Sequence, residues 1–432
     1  MNISKRLVPI FCILLVLFAV SIANGCSRKN ESNVKDVVKN ELDQLKNLNS
    51  ETTQKYIPYK ELFPGATENT GLSDEINEAF SLFFQKFDYK ILDISVDPAD
   101  NSATASVKLT TINSQALARD FAAELLRTRI TEAAQAQTGN TKDSSKSLEA
   151  HYLILNQLLN NNEYDSAETN CTIQLVNTGS SKNEKWEIQR TSFLENDLVG
   201  GLITDLADPD ILSPEDTLTV YLDTLEKLDL KEMSSYLGVV NIMNTSDSAK
   251  NSIAEALVEQ IHNNFSYVIK SSSENGYNAT VTTDITTFDS DAILSDYQSK
   301  LDEYLASADA VIDGSQKRYE KSLEILLDSI SNNTATTVND VDFVLINDGV
   351  SWKLQDEGNT LGDAIFGTLT DSPLDDSTSQ DSYNSADSDS DSDNNDSDDH
   401  SSDTSDSGTN DSTTNDSTTN KDDYHKDSLN LV

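Results

Sequence analysis

Tyr267-Val-Ile-Lys-Ser271, Asn275-Gly276 and Asn278-Ala-Thr-Val-Thr-Thr-Asp-Ile-Thr-Thr-Phe288 read in succession as strand, turn and strand. β-Branched and aromatic side chains suit a half-buried pleated surface, and Asn-Gly tolerates the positive φ values of a two-residue hairpin. An earlier stretch repeats the pattern. Phe87-Asp-Tyr89-Lys-Ile91 matches Phe265-Ser-Tyr267-Val-Ile269 at an offset of 178, and Ala103-Thr104 with Leu109-Thr110-Thr111 matches Ala279-Thr280 with Ile285-Thr286-Thr287 at 176. This first copy turns at Asp97-Pro98-Ala99-Asp100.

The match extends outward from the hairpin in both directions. Asp36 through Leu48 aligns with Asp216 through Leu228 at an offset of 180, bringing Leu42-Asp43 and Leu45 onto Leu222-Asp223 and Leu225. Tyr56-Ile57 falls on Tyr236-Leu237 at the same offset. Downstream, Trp186-Glu-Ile188-Gln189 answers Trp352-Lys-Leu354-Gln355 at 166, followed by Asp197 with Asp363 and Gly201 with Gly367. The offsets fall in chain order, as loops of unequal length in two copies of one unit require.

Periodicity supplies the remaining elements. Val37 to Leu48 and Leu218 to Leu228 carry apolar residues at helical spacing, the second after Ser213-Pro214-Glu215-Asp216, an N-cap hydroxyl with proline at the first helical position. Another helix starts at Ser73-Asp-Glu and carries Ile76, Ala79, Phe80 and Phe83; its counterpart carries Ile253, Ala256, Leu257 and Ile261. Helix pairs are expected over Ala116 to Gln137 with Leu148 to Leu159, and over Ala292 to Ile312 with Tyr319 to Ile330. A second hairpin joins Cys171 to Val176 with Trp186 to Gln189, and Val341 to Ile346 with Ser351 to Gln355. The expected fold is α+β: two tandem copies of a helix-covered, four-stranded antiparallel sheet. Module 1 spans 34–202, a linker 203–212 and module 2 213–370.

This order of elements and strand patterning, over about Asn33 to Leu369, resembles the cystatin-like roll shared by nuclear transport factor 2-like domains, which recurs in tandem in Gram-positive lipoproteins. In some relatives the resemblance implies a pocket in the concave sheet face with an acid and a tyrosine, for which Asp197, Asp363, Tyr89 and Tyr267 are the duplicated candidates.

The ends of the chain read differently. Lys5 and Arg6 precede an apolar run from Leu7 to Ala23, the charged and apolar regions of a secretory signal over residues 1–25. Ala23-Asn24-Gly25 before Cys26 resembles the lipobox of bacterial lipoproteins, which implies acylation of Cys26, a membrane anchor through it, and a polar tether over 26–33. An ordinary signal peptidase accepts the same bond, so the alternative is secretion without lipid. From 371 to 432 the chain holds 18 Asp, no Glu and two Lys. Such a segment buries too little apolar surface to offset its ordering entropy and is expected to be a disordered acidic tail. Asp387-Ser-Asp389-Ser-Asp391 resembles a calcium loop, but Ser392 and Asp398 stand where an EF-hand needs glycine and glutamate; weak, loose divalent-cation binding is the most it implies.

Charge and composition exclude several functions. The chain of 432 residues carries a net charge of -43, a surface that repels nucleic acid. His151, His262, His400 and His425 show no metal-ligand spacing, and no nucleophile elbow or phosphate loop occurs. No metal, cofactor or catalytic residue is expected. Cys171 aligns with Val341, so a small buried side chain is expected there. Trp186 and Trp352, the two tryptophans of the chain, occupy one repeated place and read as a shared core anchor. The reading is therefore a lipid-anchored extracytoplasmic envelope protein, non-enzymatic, with an envelope protein or peptide as partner; the alternative is a small-molecule binder or enzyme using a roll cavity.

Overall fold

Two antiparallel four-stranded sheets, each covered on one face by helices, follow one another along the chain in a computed structural model that describes residues 30–47, 62–64, 66–67, 73–137, 145–180, 183–237, 248–355 and 360–371. The signal, Cys26 and the acidic tail beyond 371 lie outside the described residues. In the first copy, α1 (30–46) and α2 (Ser73–Phe83) precede the strands β1 (Asp88–Asp97) and β2 (Ser102–Ile112). The helix pair α3 (Ser114–Gln137) and α4 (Leu148–Asn161) follows, then β3 (Ser166–Asn177), β4 (Trp186–Ile188) and the short helices α5 (Ser192–Leu198) and α6 (Leu202–Leu206).

The second copy repeats this order. It begins with α7 (Pro214–Lys227), α8 (Leu230–Tyr236) and α9 (Ser248–Asn264), continues through β5 (Ser266–Asn275) and β6 (Asn278–Phe288), and reaches α10 (Ser290–Leu305), α11 (Ala308–Ile312) and α12 (Ser315–Ser331). It closes with β7 (Thr336–Asn347), β8 (Trp352–Gln355) and α13 (Thr360–Phe366). Each sheet is a simple meander, β1-β2-β3-β4 and β5-β6-β7-β8.

Alternation sets which face is buried. Ala103, Ala105, Val107 and Leu109 of β2 face Cys171, Ile173 and Leu175 of β3 in the first core, while Lys108, between them in sequence, points outward to Glu168 at 2.9 Å. The second sheet stacks Ala279, Val281 and Ile285 with Val341, Phe343 and Leu345 in the same way. The registers agree closely. Val107 pairs with Cys171, and Thr283 pairs with Val341, so each copy places one β-branched and one small or isosteric side chain at the same rung. Both edge strands carry a bulge at the same place, between Ile91 and Asp93 in β1 and between Ile269 and Ser271 in β5.

Four expectations shift. The helix expected from Val37 begins at residue 30, so residues 30–33, read as tether, belong to α1. The second hairpin is longer on its first arm, since β3 and β7 start at Ser166 and Thr336. The single helix expected over Ala292 to Ile312 is broken at Ala306-Ser307: the Ser307 side chain accepts from the Ala310 amide and starts α11 afresh, the capping behaviour that makes serine a poor helix-interior residue. Residues 203–212, read as a linker, form a docked joint. Ile203, Leu206 and Ile211 pack on the first core, whereas Asp210 accepts hydrogen bonds from Trp352 Nε1 at 2.9 Å and Asn347 Nδ2 at 2.8 Å in the second copy.

Helix α3 joins the two copies. Its first half packs on its own sheet through Leu117, Ala118 and Phe121, but Ile130 and Ala134, both fully buried, belong to the core of the second copy beside Leu222, Leu225 and Met233. Burying an isoleucine side chain contributes about 2 kcal/mol, so the contact has energetic weight. Arg119 reaches Asp216 at 2.7 Å near one end of α3, and Gln135 Nε2 donates to Glu232 Oε1 at 2.8 Å near the other. Each pair is separated by 97 residues, so α3 runs beside the α7–α8 segment in the same direction.

Candidate functional site

A cleft of about 430 Å³ opens where α3 of the first copy lies beside α7 and α8 of the second. Ligand sites commonly occupy 300–1,000 Å³ and favour the junction between domains. One wall comes from the outward face of α3, with Glu124, Arg127, Thr128, Thr131 and Glu132. Residues three and four apart share a helix face, which is why this run presents together. The other wall is Thr224, Lys227, Leu228 and Glu232.

Both signs of charge line the cleft. Arg127 Nη1 bonds Glu124 Oε2 at 3.0 Å, leaving its Nε buried without a hydrogen-bond partner among the described residues. The 97-residue register puts Arg127 level with Thr224 and Lys227 level with Ile130, so the two cations stand within one helical turn of each other along the axis. Further along, Glu132 accepts from the Ser145 amide at 3.1 Å and Glu232 accepts from the Asp229 amide at 3.2 Å as well as from Gln135.

The duplicated polar residues lie elsewhere, and Tyr89, Tyr267 and Asp197 are engaged in contacts within the fold. Tyr89 Oη donates to Asp43 Oδ1 at 2.6 Å, and Tyr267 Oη donates to Asp223 Oδ1 at 2.5 Å. Burial first, and the neighbouring carboxylate second, push both phenols well above the ordinary tyrosine range. Asp197 lies in α5, where its backbone carbonyl accepts from Val199 and Gly200. Its side chain meets the Cys171 thiol, which burial and that carboxylate push up to about 12. Asp363 takes the matching place in α13. Neither aspartate is brought together with a tyrosine of the expected acid–tyrosine pair.

The repeated glycines have a local reason. Gly201 and Gly367 adopt φ of 98° and 51°, and Gly200 beside the first has φ of 64°, the left-handed region that only glycine enters freely. A Cβ on Gly200 would collide with Thr111 Oγ1, and one on Gly367 with Ser290 Oγ. In both copies this brings the closing segment against the N-terminus of the helix after the first hairpin, where Ser114 Oγ donates to the Gly200 carbonyl at 2.7 Å.

Trp186 and Trp352 are both buried and stand at the same rung, opposite Asn177 and Asn347. One small space inside the first copy, walled by Phe80, Phe83, Leu117 and Tyr152, holds about 10 Å³, room for at most a single water. Among the described residues no group of three or more His, Cys, Asp or Glu could hold a metal ion, and no helix is long and apolar enough to cross a membrane. Cys26 lies outside the described residues.

No protein-family model and no curated protein matches the chain. Among solved structures, a candidate lipoprotein (ycdA) from Bacillus subtilis subsp. subtilis strain 168 aligns with 65% of this chain and 96% of its own length, at 12% identity and a TM-score of 0.24. Similarity at that level carries no argument on fold or function.

Proposed function

We propose that the chain is a lipid-anchored extracytoplasmic envelope protein, held through Cys26, whose two modules together form a non-enzymatic binding unit for an envelope protein or peptide. The observation that supports this reading is the cleft of about 430 Å³ lined by both copies, set against the duplicated tyrosines and Asp197, which make internal contacts. The signal and lipobox residues ahead of Cys26 support the anchor.

Two measurements test the reading. Cells making the protein are labelled with radioactive palmitate: label on the intact chain and its loss with Cys26→Ala, together with release to the medium, are expected. An unlabelled intact chain overturns the anchor. Partner retention by the full chain is then compared between Lys227→Glu in the cleft and Tyr89→Phe in the roll. Loss with the first alone is expected; loss with the second alone would move the binding face into the roll.

A further inference from the structure

We infer that Asn275 is a self-modifying site, at which the Gly276 backbone nitrogen displaces the side-chain amide and leaves isoaspartate or aspartate at the tip of the β5–β6 hairpin. Asn275 pairs with Asn278, so Gly276 and Tyr277 make the turn, with Gly276 at a φ of 64°. All four residues are exposed, and a Cβ added to Gly276 would meet nothing within 4 Å. Neither the Asn275 side chain nor the Gly276 amide is hydrogen-bonded among the described residues. Electrophile and nucleophile are therefore adjacent and open to water, because glycine places no side chain over its nitrogen.

The step needs only water. Once solvent has removed the Gly276 amide proton, the nitrogen bonds to Asn275 Cγ, and the side-chain nitrogen takes a proton from solvent and leaves as ammonia, closing a cyclic imide. Water then opens one of the two carbonyl–nitrogen bonds of the ring. One opening gives aspartate; the other routes the main chain through Cβ and lengthens the turn by one backbone atom. The second turn with a glycine at this end of the sheet is built the opposite way. Gly349 donates its amide to Asn347 Oδ1 at 2.9 Å, while Lys353 at 2.7 Å, aided by the Ser351 and Val350 amides, draws the Asp348 pKa down to about 2. An ionised carboxylate is a poor electrophile, so Asp348 is spared.

Position ties the change to the joint between the copies. The Tyr277 carbonyl accepts from the Asn347 amide at 2.8 Å, and the Asn347 side chain donates to Asp210 at 2.8 Å beside Trp352. An extra backbone atom just ahead of Tyr277 displaces that carbonyl and loosens Asn347.

The full chain is held in mildly alkaline buffer beside a synthetic peptide of residues 273–279, and both are analysed by mass spectrometry. A gain of about 1 Da at Asn275 is expected, with isoaspartate the larger product. It should accumulate at least about fivefold faster than at Asn101-Ser102, where the following residue carries a side chain. Change in the synthetic peptide alone, or a rate at Asn275 no greater than at Asn101, overturns the site. Hydrogen exchange then reads the joint: the isoaspartate form is expected to lose protection at the Asn347 amide by about tenfold. Asn275→Asp, which has the charge without the extra atom, is expected to keep that protection. Equal loss in both, or loss in neither, overturns the link to the joint.

Discussion

Tyr267 Oη donates to Asp223 Oδ1 at 2.5 Å, and 178 residues earlier Tyr89 Oη donates to Asp43 Oδ1 at 2.6 Å. The first helix of each copy is thereby fastened to the first strand of its sheet by the same bond. Hydrogen bonds to charged groups contribute about 1.5–3 kcal/mol, so Tyr267→Phe and Tyr89→Phe are each expected to lower unfolding free energy by about 1–2 kcal/mol in urea titrations. The folded phenols hold their protons above the ordinary value of 10. Stability from this source is therefore complete below about pH 10 and lost as pH rises beyond it, and each substitution should flatten that alkaline fall.

His151 lies in a stack with Phe63, ring centroids 4.8 Å apart, and close to Phe121. Burial, with a smaller contribution from Arg129, lowers its pKa below the ordinary 6.5. The unfolded chain takes up this proton more readily, so stability held above about pH 6.5 is lost as pH falls below it. His151→Phe is expected to reduce the difference in unfolding free energy between about pH 7.5 and pH 5.5; an unaltered difference would contradict the assignment.

Cys171 is expected to be chemically silent while the protein is folded. With its thiol pushed up to about 12, a chain carrying Cys12→Ser and Cys26→Ser should not react with a disulfide reagent at about pH 8 and should release one equivalent on denaturation. Cys171→Val installs the side chain that the second copy has at Val341; the cost is expected to be about 1 kcal/mol, because Asp197 loses its thiol contact.

Ile130 couples the two copies. Ile130→Ala removes three carbons from a fully buried site in the second core and is expected to cost about 2–4 kcal/mol. The effect should appear on Trp352 fluorescence as well as on the first copy. A loss confined to probes of the first copy would show that α3 does not stabilise its neighbour.

Much of this architecture was legible in sequence because it is local or repeated. Asn275-Gly276 demands one turn type, Ser213-Pro214 announces a helix start, and the shared offsets tie Trp186 to Trp352 before any coordinates. The Tyr–Asp bonds were half visible: Asp43 and Asp223 lay within the aligned helices, and only the tertiary placement of helix against strand shows what they hold. The cleft had no such signal. Its walls come from segments 97 residues apart in different copies, and α3 carries its polar residues as any exposed helical face would. Asp210 was read as part of a linker for a similar reason, since its partners Asn347 and Trp352 are more than 130 residues away.

The bulges shared by β1 and β5 bear on how copies of this protein tolerate crowding. An open strand edge invites pairing with its twin on a neighbouring molecule, and an inserted residue twists it out of line. Leu92 and Lys270 occupy those insertions, so the margin that β1 or β5 forms in each sheet is kept unsuited to zipping molecules into fibres.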